Sequence, residues 1–98
     1  MSRVVRLRLF GFLERLAGHR EACLEVEDNA TLLHVLLRLA ERYGTEFASA
    51  IFRAPRQVHT HLRLFMNDEP ADVNDPIAAA GNQEPEVMIL VLNSVEGG

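Results

Sequence analysis

The sequence predicts an α+β roll, in which one main helix covers one face of a mixed β-sheet. Three observations predict it. Two segments near the N-terminus alternate apolar and polar residues, one central segment repeats apolar residues at helical spacing, and the last ordered run is apolar throughout. The order is strand, strand, helix, strand, minor strand, strand.

Val4 to Phe10 opens the chain. Val5, Leu7 and Leu9 alternate with Arg6 and Arg8, the period of a half-buried strand. Gly11 and Gly18 bracket a connection, Phe12 to Ala17, that is too long for a tight hairpin turn. Ala22, Leu24 and Val26 then alternate with Cys23, Glu25 and Glu27, so the first two strands form an antiparallel pair with one wet face. Thr31 is placed to cap a helix that runs to Tyr43, because its hydroxyl can accept from an orphan N–H one turn in. Leu32, Val35, Leu36, Leu39 and Tyr43 form its apolar stripe, and Gly44 stops it. Glu46 to Arg53 reads as a second short helix ended by Pro55.

His61 to Met66 is a further strand with Leu62, Leu64 and Met66 on one face, and Asn67-Asp68 is a turn. Glu69 to Val73 reads as a short edge strand. After a small apolar patch at Ile77 to Ala80, Val87 to Leu92 is apolar on both faces, as strands covered on both sides are. One helix covers only one side. The other side, with Phe10, Phe65 and alternate residues of the last strand, is then a partner surface, unless segment 46–60 folds over it. Leu7, Leu9, Leu24, Val26, Leu32, Leu36, Leu39, Leu64 and Ile89 are the expected core.

Composition excludes several classes. The 98 residues suffice for one core and leave no room for a cofactor domain beside a catalytic one. A net charge of −4 disfavours a phosphate backbone, so no nucleic-acid partner is expected. No apolar run is long enough to span a membrane, and no secretory signal opens the sequence. Cys23 is the single cysteine, so no internal disulfide can form. A cytoplasmic protein is expected.

Other chemistry is sparse. His59 and His61 would share a strand face, but two imidazoles without further ligands make a poor metal site, and no metal is expected. His34 falls on the polar helix face. Cys23 has no basic neighbour in sequence to favour the thiolate. The carboxylates Asp68, Glu69, Asp72 and Asp75 sit in turn-rich sequence, where Asp serves the backbone. No nucleophile–base pattern is present, so an enzyme is not expected.

The stretch Leu9-Phe10-Gly11-Phe12-Leu13-Glu14-Arg15-Leu16-Ala17-Gly18, the helix start at Thr31 with Leu32, Leu36 and Leu39, and Val87 to Leu92 followed by Val95 and Gly97-Gly98 together resemble one known family. It is the β-grasp sulfur carriers, related to the small subunit of molybdopterin synthase and to the thiamine-pathway carrier. The match covers nearly the whole chain, and the long 46–60 segment favours the molybdopterin-synthase type. The sequence departs from the family's pattern at Glu14-Arg15, at Pro85-Glu86, at Asn93-Ser94 and at Glu96.

The resemblance implies a ubiquitin-like β-grasp domain over residues 1–92, with a sheet of four to five strands, and a flexible tail over 93–98. It implies a sulfur carrier that is adenylated and then thiocarboxylated at Gly98, serving as small subunit of a molybdopterin-synthase-like complex. Gly97, Glu96 and Val95, with Phe65 and Phe10, are then the partner-binding residues. The partners implied are an E1-like adenylating enzyme and a larger sulfur-accepting synthase subunit. No cofactor is bound; ATP is used by the activating partner, in keeping with the lack here of a Gly-rich phosphate loop with a Lys. Two alternatives stay open: a ubiquitin-like modifier conjugated through Gly98, and a β-grasp binding subunit that is never activated. All ten basic residues are Arg. The chain therefore cannot form Lys-linked polymers of itself.

Overall fold

The alternation of Val5, Leu7 and Leu9 produces β1 (Ser2–Leu9), with all three side chains buried, in a computed structural model that describes residues 2–77 and 84–92. β1 pairs antiparallel with β2 (Glu21–Glu27), where Leu24 and Val26 point into the core and Glu21, Cys23, Glu25 and Glu27 point out. The expected connection between them is instead a helix, α1 (Phe12–Ala17). Leu13, Leu16 and Ala17 recur at i, i+3 and i+4; Leu13 is fully buried and the other two pack on the core. Gly18 ends this helix in the left-handed region (φ 86°), which costs glycine little.

The main helix is α2 (Leu32–Tyr43). Leu32, Val35, Leu36 and Leu39 are buried, so the apolar stripe read from the sequence is its core face. Its start is closed from several sides. The Thr31 N–H donates to His34 Nδ1 at 3.0 Å, while the carbonyls of Asp75 and Val73 accept from Leu32 and Leu33 at 3.0 and 2.9 Å. These bonds satisfy amides that have no partner within the helix. Nδ1 must carry a lone pair to accept, so the proton sits on Nε2. At the other end His19 Nε2 contacts the Tyr43 hydroxyl, with the two rings edge to face.

α3 (Thr45–Ile51) is the expected second short helix. It ends before Phe52 rather than at Pro55. The chain turns into a small hairpin, β3 (Phe52–Ala54) and β4 (Gln57–Val58), with Arg56 at φ 62° in its turn. Phe47 and Ile51 are fully buried in the same core as Leu36 and Leu39. Segment 46–60 therefore packs on the helix side and does not fold over the opposite face.

β5 (Leu62–Met66) and β6 (Glu69–Ala71) are joined by Asn67 and Asp68, both at positive φ (53° and 72°). β7 (Glu86–Val91) runs parallel to β1 and antiparallel to β5. The five-stranded sheet has the order β2-β1-β7-β5-β6, so β7 lies at its centre. All nine expected core residues are buried. Asn67 locks the start of β7: its N–H donates to the Glu86 carbonyl at 2.8 Å and its Oδ1 accepts the Glu86 N–H at 3.0 Å.

Candidate functional site

The site is the end of the central strand and the sheet face beside it. Strand parity divides β7 cleanly. Val87 and Ile89 point into the core with no exposure, while Met88 and Leu90 point to the face without helices and stay partly exposed. Phe65 lies directly across from Met88, and Pro70 lies across from Phe65. These three form a continuous apolar row over β7, β5 and β6. Arg6 and Arg8 of β1 occupy the same face on the other side of β7. Phe10 follows β1 rather than belonging to it, is partly exposed, and has the Arg8 guanidinium 5.8 Å from its ring. The sequence-derived pair Phe65 and Phe10 is thus on the open side, with Met88 and Leu90 between them.

The parallel register Leu9↔Ile89 brings the end of β1 beside the end of β7. Phe10 to Phe12 therefore stand next to Leu90 to Leu92. α1 packs against β7 there and closes one side of the exit. On the other side, the His61 carbonyl accepts the Leu92 N–H at 2.9 Å and extends the β5–β7 ladder by one rung. Phe12 and Leu92, at 49% and 44% exposure, are the exposed large apolar side chains of the described residues. Sequence reasoning missed both. Phe12 was assigned to a connection and Leu92 to the strand; the signal was the Phe-Gly-Phe step beside the end of an apolar run. Residues 93–98, and with them Val95, Glu96, Gly97 and Gly98, lie outside the described residues, as does most of the patch at 77–80.

The minor candidates resolve into structural roles. His59 and His61 are in the turn before β5 and do not share a strand face. His59 Nε2 lies 3.0 Å from the Ser49 carbonyl, tying the hairpin to α3. Asp75 Oδ2 accepts the Asp72 N–H at 2.8 Å and Asp72 Oδ2 accepts the Asn74 N–H at 3.2 Å, so these carboxylates brace the loop after β6 whose carbonyls receive the first amides of α2. Strand pairing sets Arg6 opposite exposed Cys23, a neighbour that is invisible in the linear sequence. Among the described residues no group of three or more His, Cys, Asp or Glu is placed to hold a metal ion. None of the described helices is long and apolar enough to cross a membrane.

No family model matches the chain, and no curated protein matches it. Solved structures do. SAMP1 from Haloferax volcanii superposes with a TM-score of 0.81 at 22% identity, covering 95% of this chain and 99% of that one. The small archaeal modifier protein 1 of Methanosarcina acetivorans gives 0.77 at 19%, covering 98% and 99%. A Pyrococcus furiosus protein assigned as molybdopterin converting factor subunit 1 gives 0.70 at 14%, covering 91% and 97%.

The fold is the ubiquitin-like β-grasp.

The β-grasp here carries two additions to one sheet and one helix, namely α1 at the exit of β7 and the unit of α3 with its hairpin. The first adds apolar surface where the last strand leaves the sheet. The second thickens the helical layer and leaves the opposite face alone.

Proposed function

We propose that this chain is a sulfur carrier that works through its C-terminal Gly97-Gly98. The observation that supports it most is the exit of β7. A central strand ends between Phe12 and the His61 carbonyl, beside an apolar face, and residues 93–98 continue from Leu92. Six residues, if extended, reach about 20 Å. That length lets a terminal carboxylate enter a partner's active site while Phe65, Met88, Leu90 and Phe12 seat the domain against that partner's surface.

The chemistry requires an activated acyl group, because a free carboxylate is a poor electrophile. The adenylating partner joins the Gly98 carboxylate to AMP and releases pyrophosphate from ATP. Hydrosulfide then attacks the acyl carbon, AMP leaves with the bonding pair, and a thiocarboxylate remains. A donor persulfide gives an acyl disulfide instead, which a second thiol reduces to the same product. Transfer of the sulfur to an acceptor and hydrolysis return the carboxylate. Glycine at 97 and 98 permits close approach of the activating enzyme to the backbone. In this reading the chain is a protein co-substrate, and a larger synthase subunit of molybdopterin-synthase type is the acceptor that the sequence resemblance favours.

Intact-mass analysis after incubation with an adenylating enzyme of this type, ATP and a sulfur donor tests the proposal. The expected product carries one sulfur in place of one oxygen, and deletion of Gly98 abolishes it. A second outcome, loss of water and a branched peptide on a target Lys, would make the chain a protein tag, as the archaeal neighbours named as modifiers are. Full biological activity of the Gly98 deletion overturns both readings.

A further inference from the structure

The two edges of the sheet are not alike. β6 is three residues long and has Pro70 at its middle, which offers no N–H to an incoming strand. β2 is seven residues long and contains no proline. The pairing shows which of its backbone groups face outward. Leu9 N–H donates to the Arg20 carbonyl at 2.7 Å, and the antiparallel register runs on from there. Ala22, Leu24 and Val26 therefore bond to β1, while Cys23, Glu25 and Glu27 turn their backbone groups to the open side. Two of those groups are engaged within the molecule: Arg42 Nη1 donates to the Cys23 carbonyl at 3.0 Å, and the Glu27 carbonyl accepts the Ala30 N–H at 3.0 Å. The amides of Cys23, Glu25 and Glu27 and the carbonyl of Glu25 remain on that side.

A groove of about 310 Å³ runs beside this edge, between the end of β2 and α2. Val26, Ala30 and Leu37 supply its apolar wall, and His34 and Arg38 stand on the helix rim. The outward row of β2 is acidic. Arg8 lies across from Glu21, but Glu25 and Glu27 face only Val4 and Ser2 on β1. The Ser2 hydroxyl donates to Glu25 at 2.6 Å, which leaves the charge in place.

We propose that the β2 edge is a second docking site, distinct from the β7 exit, that takes an extended peptide segment alternating apolar and basic residues. The segment adds a strand to β2 through the outward amides and the Glu25 carbonyl. Strand alternation sends every second side chain into the groove against Val26, Ala30 and Leu37, and the others toward Glu25 and Glu27. Arg38 on the helix rim disfavours a cation deep in the groove, so the basic residues belong in the outer row beside Glu25 and Glu27. The same charges disfavour a second copy of this chain. Antiparallel pairing of β2 with itself sets Glu against Glu in every register that pairs more than three residues and keeps the apolar faces together, and like charges directly opposite are destabilising.

The test is titration of the isotope-labelled full chain with an end-blocked synthetic peptide of alternating Val and Lys, followed by amide chemical shifts. The expected result is saturable movement of Cys23, Glu25, Glu27, Ala30 and Leu37. A peptide alternating Val and Glu should bind at least about tenfold more weakly, and the Glu25→Lys, Glu27→Lys double variant should lose roughly tenfold for the Lys peptide. An N-methylated Val-Lys peptide, which cannot donate to the edge, should also fail, and this arm does not depend on any variant folding. Phe65→Asp and deletion of 93–98 should leave the binding unchanged, which separates this site from the proposed carrier chemistry. Shifts confined to the face of Phe65 and Met88, no saturation at millimolar peptide, or concentration-dependent dimerisation through β2 would each overturn the proposal.

Discussion

The backbone N–H of Leu92 donates to the carbonyl of His61 at 2.9 Å, one rung beyond the last residue of β7. The hydrogen-bonded sheet therefore extends to the residue from which 93–98 depart. Removing 93–98 leaves every buried side chain of the described core in place and should keep the thermal midpoint within about 2 °C of the full chain. Truncation before Val87 should abolish cooperative unfolding, because it removes the central strand with buried Val87 and Ile89. Calorimetry of the two truncations checks both outcomes.

The core and the open face should respond oppositely to substitution. Leu36→Ala should cost about 2–5 kcal/mol and Phe47→Ala about 3–5 kcal/mol, since both side chains are fully buried and leave cavities. Phe65→Asp should leave the midpoint nearly unchanged. Urea denaturation of the three variants distinguishes the faces, and unfolding by Phe65→Asp would make that residue core.

Phe65→Asp and Phe12→Asp should each weaken capture by the adenylating or acceptor partner by on the order of tenfold or more, through loss of apolar contact and burial of a carboxylate. Gly97→Val should leave the fold intact and stop sulfur loading, because a β-branched side chain narrows the backbone's approach and restricts φ. Binding measured separately from loading tells the two effects apart.

Gly18→Ala should destabilise the domain by about 1 kcal/mol although nothing lies within 4 Å of the added methyl, because φ is 86° there. A neutral result in chemical denaturation would mean that the turn relaxes to another conformation.

What could be read in advance followed from local periodicity. β1, β2 and α2 each carry an apolar stripe long enough to name its face, and the alternation in Leu62 to Met66 fixed the orientation of Phe65. The surplus apolar character of Val87 to Leu92 pointed to an open face, and Met88 and Leu90 occupy it. What was not legible depended on contacts between distant segments. α1 is six residues long, too short for its i, i+3, i+4 pattern to stand out between two glycines. The role of Phe47 needed α3 to fold back on Leu39. The exit of β7 needed the register Leu9↔Ile89, which only the assembled sheet defines. The groove beside β2 likewise joins Val26 to Leu37 across a turn.

The parallel pairing of β1 with β7 has a consequence for synthesis. β1 cannot gain its inner neighbour until β7 has left the ribosome, and such non-local pairing is slow to form. A chain interrupted anywhere before residue 86 lacks the middle of its sheet and stays exposed to proteolysis. Translation through β7 and closure of the sheet are thus coupled in this protein. Every folded molecule has therefore been translated at least through β7, the strand that leads toward residues 93–98.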